Sequence, residues 1–473
     1  MRKIFIKKNI PIFILFFLVL GISLSFIGES VGRSISLTLI TSSFLIAYLL
    51  TKNISFSLLL FLFLALPLNI TYQIPISFEN SLVDGISVNY LIPTLSVLDF
   101  GLGIFIAIAV MKKPHVLKEV FAEFGIPIIM FLLFLLVQNI LLRNPLVLLS
   151  SLREILYYSS FLVFLKLWKI EKKKYNYKLA SVVLLISVLF QSIVGFLQFI
   201  KGSSLGIYFL GESKGVAGLV GSSFVALGDE LFLRASGTFP HPNILAGFLL
   251  LSFFSAIYLS KKLQKKFKII AYSTLVLCSI CLILTFSRTV ILLSVFLLSS
   301  LLLGKIMFGR KVYSFTLPLF FERFLSLFSM GEDSWVDRIN LVKASFVVIK
   351  QNWTLGTGLG NYVKGMEGFF PTTSRSMPLL QPVHNIFLLL FAELGVIGFV
   401  LYLYLFYQIM RRYYKRITIY GGLIFFSVLV IGMVDHYFAS LPQGQIIFFL
   451  LIFLAIVSSE EELQNKKKKI NKN

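Results

Sequence analysis

Three side chains in this sequence lie at the edge of a long apolar run and carry either a fixed charge or a titratable ring. Arg234 lies in LFLRASGTFPHPNILAGFL, Arg288 in LTFSRTVILL and His384 in PVHNIFLLL. A guanidinium stays charged at any relevant pH and binds phosphate oxygens through a fixed fork of donors. Histidine exchanges a proton near neutrality. Two arginines and a histidine on one face would therefore suit a pyrophosphate-linked substrate and an acceptor hydroxyl.

Each of these residues also has a purely structural interpretation. An arginine at an outer helix end often anchors a lipid headgroup, and His384 could be a satisfied capping or interface residue. Asn385 could equally be a helix cap. His241, between two prolines, is expected to be a turn residue, and His115 a solvated cytoplasmic loop residue.

Other polar groups predict less chemistry. Asp435 and His436, in MVDHYF, are expected to form a polar helix terminus, although a second-site role stays open. The glycines of GTGLGN lack a preceding strand and the spacing of a dinucleotide fingerprint, so they predict a tight turn between outer helices. No His, Asp and Glu have the spacing of metal ligands, so the sequence predicts no metal site and no cofactor.

The elements that position these residues are membrane helices. The chain is 57% hydrophobic, with a mean hydropathy of +0.90, far outside the range of soluble proteins. The net charge of +23 comes largely from short basic clusters between apolar runs, such as MKKPH and RRYYKRI. This is the positive-inside pattern, which argues against nucleic-acid binding. Cys278 and Cys281 lie in one apolar run and are expected to be a reduced pair.

With the basic clusters as cytoplasmic markers, the apolar runs predict an all-α polytopic membrane protein with about 12–14 transmembrane helices. Both termini are expected inside, and the first helix is expected to be retained. Glu322 to Val383 is expected to form amphipathic helices on the outer interface. The predicted spans are Ile10–Ile27, Ile35–Leu50, Ile54–Ile70, Pro93–Met111, Phe124–Leu142, Leu146–Leu167, Leu179–Ile200, Ile244–Leu259, Ile269–Phe286, Val290–Phe308, a short Val312–Phe321, a span from about Asn385, Tyr420–Val434 and Gln445–Val457.

We divide the chain into three parts. Residues 1–200 carry N-terminal transmembrane helices, and residues 411–473 carry C-terminal helices and a basic cytoplasmic tail. Residues 201–410 form the expected catalytic region, including the outer loops 201–242 and 322–383.

Four blocks of the middle part resemble the O-antigen ligase and O-antigen polymerase superfamily. His384 and Asn385 are followed by Gly395 and Gly398 at the ligase spacing, and then by an uninterrupted span. RASGTFPHPNILAGFLL resembles the family's arginine block, and TFSRTVILL resembles its Ser-Arg block. DRINLVKASFVVIKQNWTLGTGLGNY resembles the helix and Gly-x-Gly turn that precede the histidine. The resemblance extends from about Leu231 to Tyr402 and includes Arg234, Gly237, Asn243, Ala246, Arg288, Gly358 and Gly360.

The resemblance implies a GT-C-like glycosyltransferase that uses an undecaprenyl-diphosphate-linked glycan on the outer, periplasmic face of the cytoplasmic membrane. Arg234 and Arg288 would hold the diphosphate, with Asn243 and Asn385 as further substrate contacts, and His384 would orient or deprotonate the acceptor hydroxyl. The glycines Gly395, Gly398, Gly358 and Gly360 would be structural. The acceptor would be a glycan, a lipid or a protein, as in lipopolysaccharide and other surface-polysaccharide biosynthesis, and the reaction would need no metal.

Two other classes remain open. A transporter or flippase of lipid-linked glycans would show inverted repeats and charges near the middle of the membrane, whereas the charges here lie at the edges. The second is a non-catalytic membrane partner in polysaccharide assembly. Replacing His384 would abolish turnover in an enzyme, whereas such a partner has no turnover of its own. The sequence does not distinguish a ligase from a polymerase.

Overall fold

In a computed structural model of the chain, the described residues are 31–74, 81–170, 177–216, 223–227, 230–260, 265–308, 332–373, 378–413, 417, 419–450, 452 and 456. Two predicted spans, Ile10–Ile27 and Val312–Phe321, lie outside these residues. The division into three parts stays a prediction.

Helices account for most of the described residues. They are α1 Val31–Thr51, α2 Ile54–Ala65, α3 Val97–Lys112, α4 His115–Leu142, α5 Pro145–Ile170, α6 Tyr177–Lys201, α7 Pro242–Ser260, α8 Lys265–Leu284, α9 Arg288–Phe308, α10 Glu332–Gln351, α11 Ile386–Tyr413, α12 Ile419–Gly432 and α13 Tyr437–Ser440. Residues 442–450 are also helical.

The all-α polytopic fold is confirmed. Among the described residues, five helical segments are long and apolar enough to cross a bilayer, and they lie in α1, α4, α5, α6 and α11. Segments of α2, α7, α8, α9 and α12 are also apolar but shorter. Most of the predicted spans that lie within the described residues match these helices to within a few residues. The helix α4 begins at His115, however, well before the predicted start at Phe124.

Two predicted spans are shorter as helices than as apolar runs. Ile54–Ile70 is helical only to Ala65, and Pro93–Met111 becomes helical only at Val97. Between them, the antiparallel strands β1 Thr71–Gln73 and β4 Thr94–Ser96 pair with each other. The Ser96 side chain accepts from the Asp99 backbone amide, and the Asp99 carboxylate accepts from that of Ser96. This capping box fixes where α3 begins.

Two further hairpins lie in the loops that were predicted to be outside. Strands β2 Leu82–Val83 and β3 Ile86–Ser87 form one of them. Strands β5 Phe224–Leu227 and β6 Glu230–Leu233 form the other, and β6 leads directly to Arg234. These strands have only two to four residues each. Alternation of polar and apolar residues over so short a stretch does not predict a strand in a chain this apolar.

The helices that carry the candidate residues pack on one another. Helix α6 contacts α2, α7 and α8, while α7 also contacts α9 and α12. Helix α11 contacts α4, α10 and α13. At the opposite end of α11, Glu123 of α4 pairs with Lys166 of α5 and with Arg412 of α11. One carboxylate thus links three helices.

The helix that follows His384 is not uninterrupted, which corrects the expectation from the sequence. Gly395 has φ 61° and ψ −177°, so α11 is broken there. The amide of Val396 donates to the Trp353 carbonyl at 2.7 Å. In exchange, Thr357 and Gly358 donate to the carbonyls of Ala392 and Glu393, both at 2.9 Å. The loop after α10 thereby replaces hydrogen bonds that a continuous helix would make within itself.

The motif glycines are explained by this contact. A β-carbon on Gly395 would overlap the Thr354 carbonyl, and one on Gly356 would overlap the Glu393 backbone. A β-carbon on Gly398 would overlap the Phe134 ring, and those on Gly358 and Gly360 would meet Val147 and Ser150. The GTGLGN segment is indeed a turn, with positive φ at its three glycines. It is packed against α4, α5 and α11 rather than lying free between outer helices.

Candidate functional site

The predicted residues come from separate elements that meet at the same ends of their helices. Arg234 follows β6, Asn243 lies in the first turn of α7, and Arg288 is the first residue of α9. His384 lies just before α11. Asp435 lies in the turn between α12 and α13. Helix starts are where backbone amides and the helix dipole favour anions.

Arg234 is held in place by two contacts. Its Nε donates to the Thr285 carbonyl at 2.8 Å, and its Nη2 donates to Asn243 Oδ1 at 2.9 Å. Burial and the nearby charge of Arg288 lower the pKa of Arg234 to about 10, and Asp435 opposes this shift. Arg234 is therefore still a cation at neutral pH, and it carries its charge close to Arg288, whose side chain is exposed.

A chain of polar contacts leads from Arg234 to His384. Asn243 accepts from Arg234 and donates through Nδ2 to Asp435 Oδ2 at 3.1 Å. Asp435 Oδ1 lies 3.6 Å from His384 Nδ1. The Asp435 carboxylate thus contacts Asn243 and faces His384, and Asn243 connects it to Arg234.

Asp435 is ionised in this setting. Burial acts to raise its pKa, but the nearby His384 ring and the charge of Arg338 hold the pKa well below its usual range. Its Oδ1 also accepts from the His436 backbone amide at 2.8 Å. The sequence treated Asp435 as a polar helix terminus, whereas the structure places it at the centre of the cluster.

Two further histidines lie beside Asp435 and are neutral. Burial lowers the pKa of His241 to about 4 and that of His436 to about 3. The turn expected at His241 is present, because its Nδ1 accepts from the Asn243 amide at 3.1 Å. His436 Nδ1 lies 2.6 Å from Ser440 Oγ, and its ring centroid is 5.1 Å from that of His384.

Asn385 acts as a helix cap, the alternative that the sequence left open. Its Oδ1 accepts from the amides of Phe387 and Leu388 at 2.9 and 3.0 Å. Its Nδ2 donates to the Met433 carbonyl at 3.0 Å, which ties α11 to the turn that carries Asp435. A substrate contact by Asn385 stays a prediction.

Sequence reasoning missed Arg338. This residue of α10 donates from Nη1 to the Val434 carbonyl at 2.8 Å, next to Asp435. Burial lowers its pKa and the charge of Asp435 opposes this. The sequence feature that could have predicted its role is an arginine near the start of an outer helix. The amphipathic pattern of the whole segment instead favours a surface position.

The expectation that the chain has no cluster of metal-ligand residues needs correction. One ligand atom from each of His384, Asp435 and His436 lies within 4.8 Å of the others. Asp435 and His436 are adjacent, but His384 lies far from them in the sequence, so spacing could not reveal the group. The positive charges of Arg234 and Arg338 act on the same carboxylate, and like charge disfavours a cation there. The arrangement is better suited to an anion beside a histidine that exchanges a proton.

Part of this site lies in a segment that is similar to a known family. Residues 273–403 match the family model described as O-Antigen ligase. The resemblance predicted from the sequence is confirmed over this segment. The O-antigen ligase segment contains Arg288, Arg338, His384 and the Gly395 break. Arg234, Asn243 and Asp435 lie outside it and join the site through the contacts above. In a search of curated proteins, no match to the chain was found.

Proposed function

We propose that the chain is a membrane glycosyltransferase that transfers or polymerises an undecaprenyl-diphosphate-linked glycan on the outer face of the cytoplasmic membrane. The coarser role, a membrane glycan ligase or polymerase, rests on the family match. The observation that carries the finer proposal is the contact chain from Arg234 through Asn243 and Asp435 to His384. It joins a phosphate-binding cation to a proton acceptor.

His384 would take the proton of the acceptor hydroxyl. Because Asp435 is ionised and faces Nδ1, the tautomer with hydrogen on Nδ1 is favoured, and Nε2 is left as the acceptor atom. The 3.6 Å separation is longer than a hydrogen bond, and such contacts often tighten only when substrate is bound. Asp435 is a positioning residue in this scheme, because it acts through the histidine.

The arginines would stabilise the leaving group. The acceptor oxygen attacks the anomeric carbon, the bond from that carbon to the diphosphate oxygen breaks, and the electron pair leaves with the diphosphate. The two contacts of Arg234 use Nε and Nη2, so Nη1 is left for a phosphate oxygen. Arg288 adds charge at the same helix ends, where developing negative charge is best stabilised.

Arg338 would support the site from α10. Its hydrogen bond to Val434 and its interaction with Asp435 fix the turn that carries the carboxylate. The same guanidinium supplies a third positive charge beside His384, which favours an anionic substrate. Its replacement by lysine would keep the charge and lose the directed fork.

The test is transfer by the purified protein, supplied with an undecaprenyl-diphosphate oligosaccharide and a crude envelope acceptor, with and without a chelator. We expect product with the chelator present, none with His384→Ala, and a loss of about 10²-fold in kcat with Asp435→Asn. His115→Ala, in an exposed histidine outside the cluster, is the matched control. A ladder of repeat units indicates a polymerase, and a single larger conjugate indicates a ligase.

Full activity of His384→Ala would contradict the role of the histidine. Another outcome would be that the wild-type protein moves the lipid-linked glycan across a vesicle membrane without forming a glycosidic product. This result would contradict the enzyme proposal and favour a flippase. If the wild-type protein is active without the chelator and inactive with it, the reaction requires a metal ion. His384, Asp435 and His436 are then the candidate ligands.

A further inference from the structure

Helix α10 has a second face that the transfer chemistry does not use. Its buried face, with Leu341, Ala344 and Val348, packs on a small core that includes Tyr362 and Met366. Its other face leaves Phe346 59% exposed, Val347 41% exposed and, just beyond the helix, Trp353 59% exposed. A surface helix in water would not present such an apolar stripe.

The same stripe carries positive charge. Lys343 and Lys350 are exposed, and their spacing to Phe346 and Val347 is that of one helical face. From Arg338 to Trp353 the sequence has no acidic residue. Lysines interleaved with aromatic and aliphatic side chains are typical of a helix that lies in a membrane interface.

Contacts near both ends of α10 fix its position against other helices. In its second turn, Arg338 bonds to Val434, just after α12. Beyond its end, Leu355 accepts from Gln138 in the last turns of α4, and Asn361 accepts from Asn144, between α4 and α5. The 20 residues of α10 therefore connect the corners of two helix pairs, which the charge pattern places on the same side of the bilayer.

We propose that the stripe Lys343, Phe346, Val347, Lys350 and Trp353 is a docking face for the outer leaflet of the bilayer, with a preference for anionic phospholipid headgroups. Phe346, Val347 and Trp353 enter the boundary between headgroups and acyl chains, and the two lysines contact headgroup phosphates. Tryptophan is enriched at this depth because its ring is apolar and its N–H is polar. The lipid surface therefore holds the helix that supplies Arg338.

Tryptophan fluorescence tests this surface without relying on transferase activity. The full-length protein is reconstituted in vesicles of phosphatidylcholine and phosphatidylglycerol, with bromine on the acyl chains of one lipid or the other. The difference between wild type and Trp353→Phe isolates the emission of Trp353. We expect brominated chains to quench it, and brominated phosphatidylglycerol to quench it more strongly than brominated phosphatidylcholine.

Lysine variants test the headgroup preference. Lys343→Gln and Lys350→Gln should each reduce the preference for phosphatidylglycerol about fivefold, since one lysine near an anionic surface contributes roughly 1 kcal/mol. Lys364→Gln is the matched control, because Lys364 bonds to the Leu82 carbonyl and pairs with Glu367 away from the stripe. Quenching of Trp353 by aqueous iodide but not by brominated chains would overturn the proposal. So would an unchanged lipid preference in both variants, or protection of Trp353 by a soluble anionic glycan instead of by lipid.

Discussion

At the scale of single residues, Asp435 organises the site. It is ionised, it is bonded to Asn243, and it faces His384, while Arg234 and Arg338 supply positive charge around it. Breaking a buried pair leaves an uncompensated charge, which is costly. A carboxylate in this position both stabilises the turn and selects the histidine tautomer, so its loss should affect stability and turnover together.

The buried histidines predict a pH dependence of stability. The unfolded chain binds a proton at each histidine below about pH 6.5, whereas folded His436 does so only near its pKa of about 3. The unfolding free energy should therefore fall as pH decreases from about 6.5 to 4, by up to about 1.4 kcal/mol per pH unit for each such histidine. His241 contributes in the same window, because its folded pKa is about 4.

The variant His436→Gln should flatten this dependence, measured as the apparent Tm in detergent across that pH range. Asp435 does not interfere, because the stability from a carboxylate with a lowered pKa is lost only below about pH 4. His115→Gln should keep the wild-type slope, since His115 is exposed. An unchanged slope in His436→Gln would contradict the lowered pKa of His436 in the folded protein.

At the scale of elements, the break in α11 should tolerate only glycine. Gly395 has a left-handed φ of 61°, and a β-carbon there would overlap the Thr354 carbonyl. Gly395→Ala should therefore cost about 1–3 kcal/mol from backbone strain alone, measured by thermal unfolding in detergent. Gly422→Ala is the control, because a β-carbon on this helical glycine meets nothing within 4 Å. Equal stability of the two variants would contradict the broken helix.

The ion cluster at the other end of α11 gives a second prediction for elements. Lys166 is 7% exposed and pairs with Glu123, which also pairs with Arg412. Glu123→Gln should destabilise the protein by about 3 kcal/mol, because the buried ammonium loses its counter-charge. Glu119→Gln, exposed and one turn earlier on α4, should be nearly neutral. A similar Tm for both variants would show that the cluster is solvated.

At the scale of the whole molecule, the charge pattern predicts which side of the membrane carries the site. A cysteine at position 213, from Ser213→Cys, should react with an impermeant maleimide in intact cells, because its loop leads to Arg234. A cysteine from Lys112→Cys should react only after permeabilisation. Native Cys278 and Cys281 are buried and should give little background. The reverse pattern would place the site on the cytoplasmic face.

The sequence by itself determined the class of the molecule and the candidates for its chemistry. Composition and basic clusters predicted the helices, because hydrophobicity along a span is a local property of the chain. The spacing of His384, Gly395 and Gly398 predicted the family segment, because these residues lie close together in the sequence. Arg234, Asn243 and His384 could be named as candidates because their types and helix-edge positions are readable without a fold.

Only the tertiary structure decided which residues meet. Asp435 and Arg338 join His384 through contacts between α10, α11 and the turn after α12, and no local pattern encodes them. The break at Gly395 depends on a loop that exchanges hydrogen bonds with α11, and this exchange is invisible in an apolar run. The sequence shows that a charged residue lies at the edge of an apolar run. Which residue it pairs with depends on the packing of helices that are distant in the sequence.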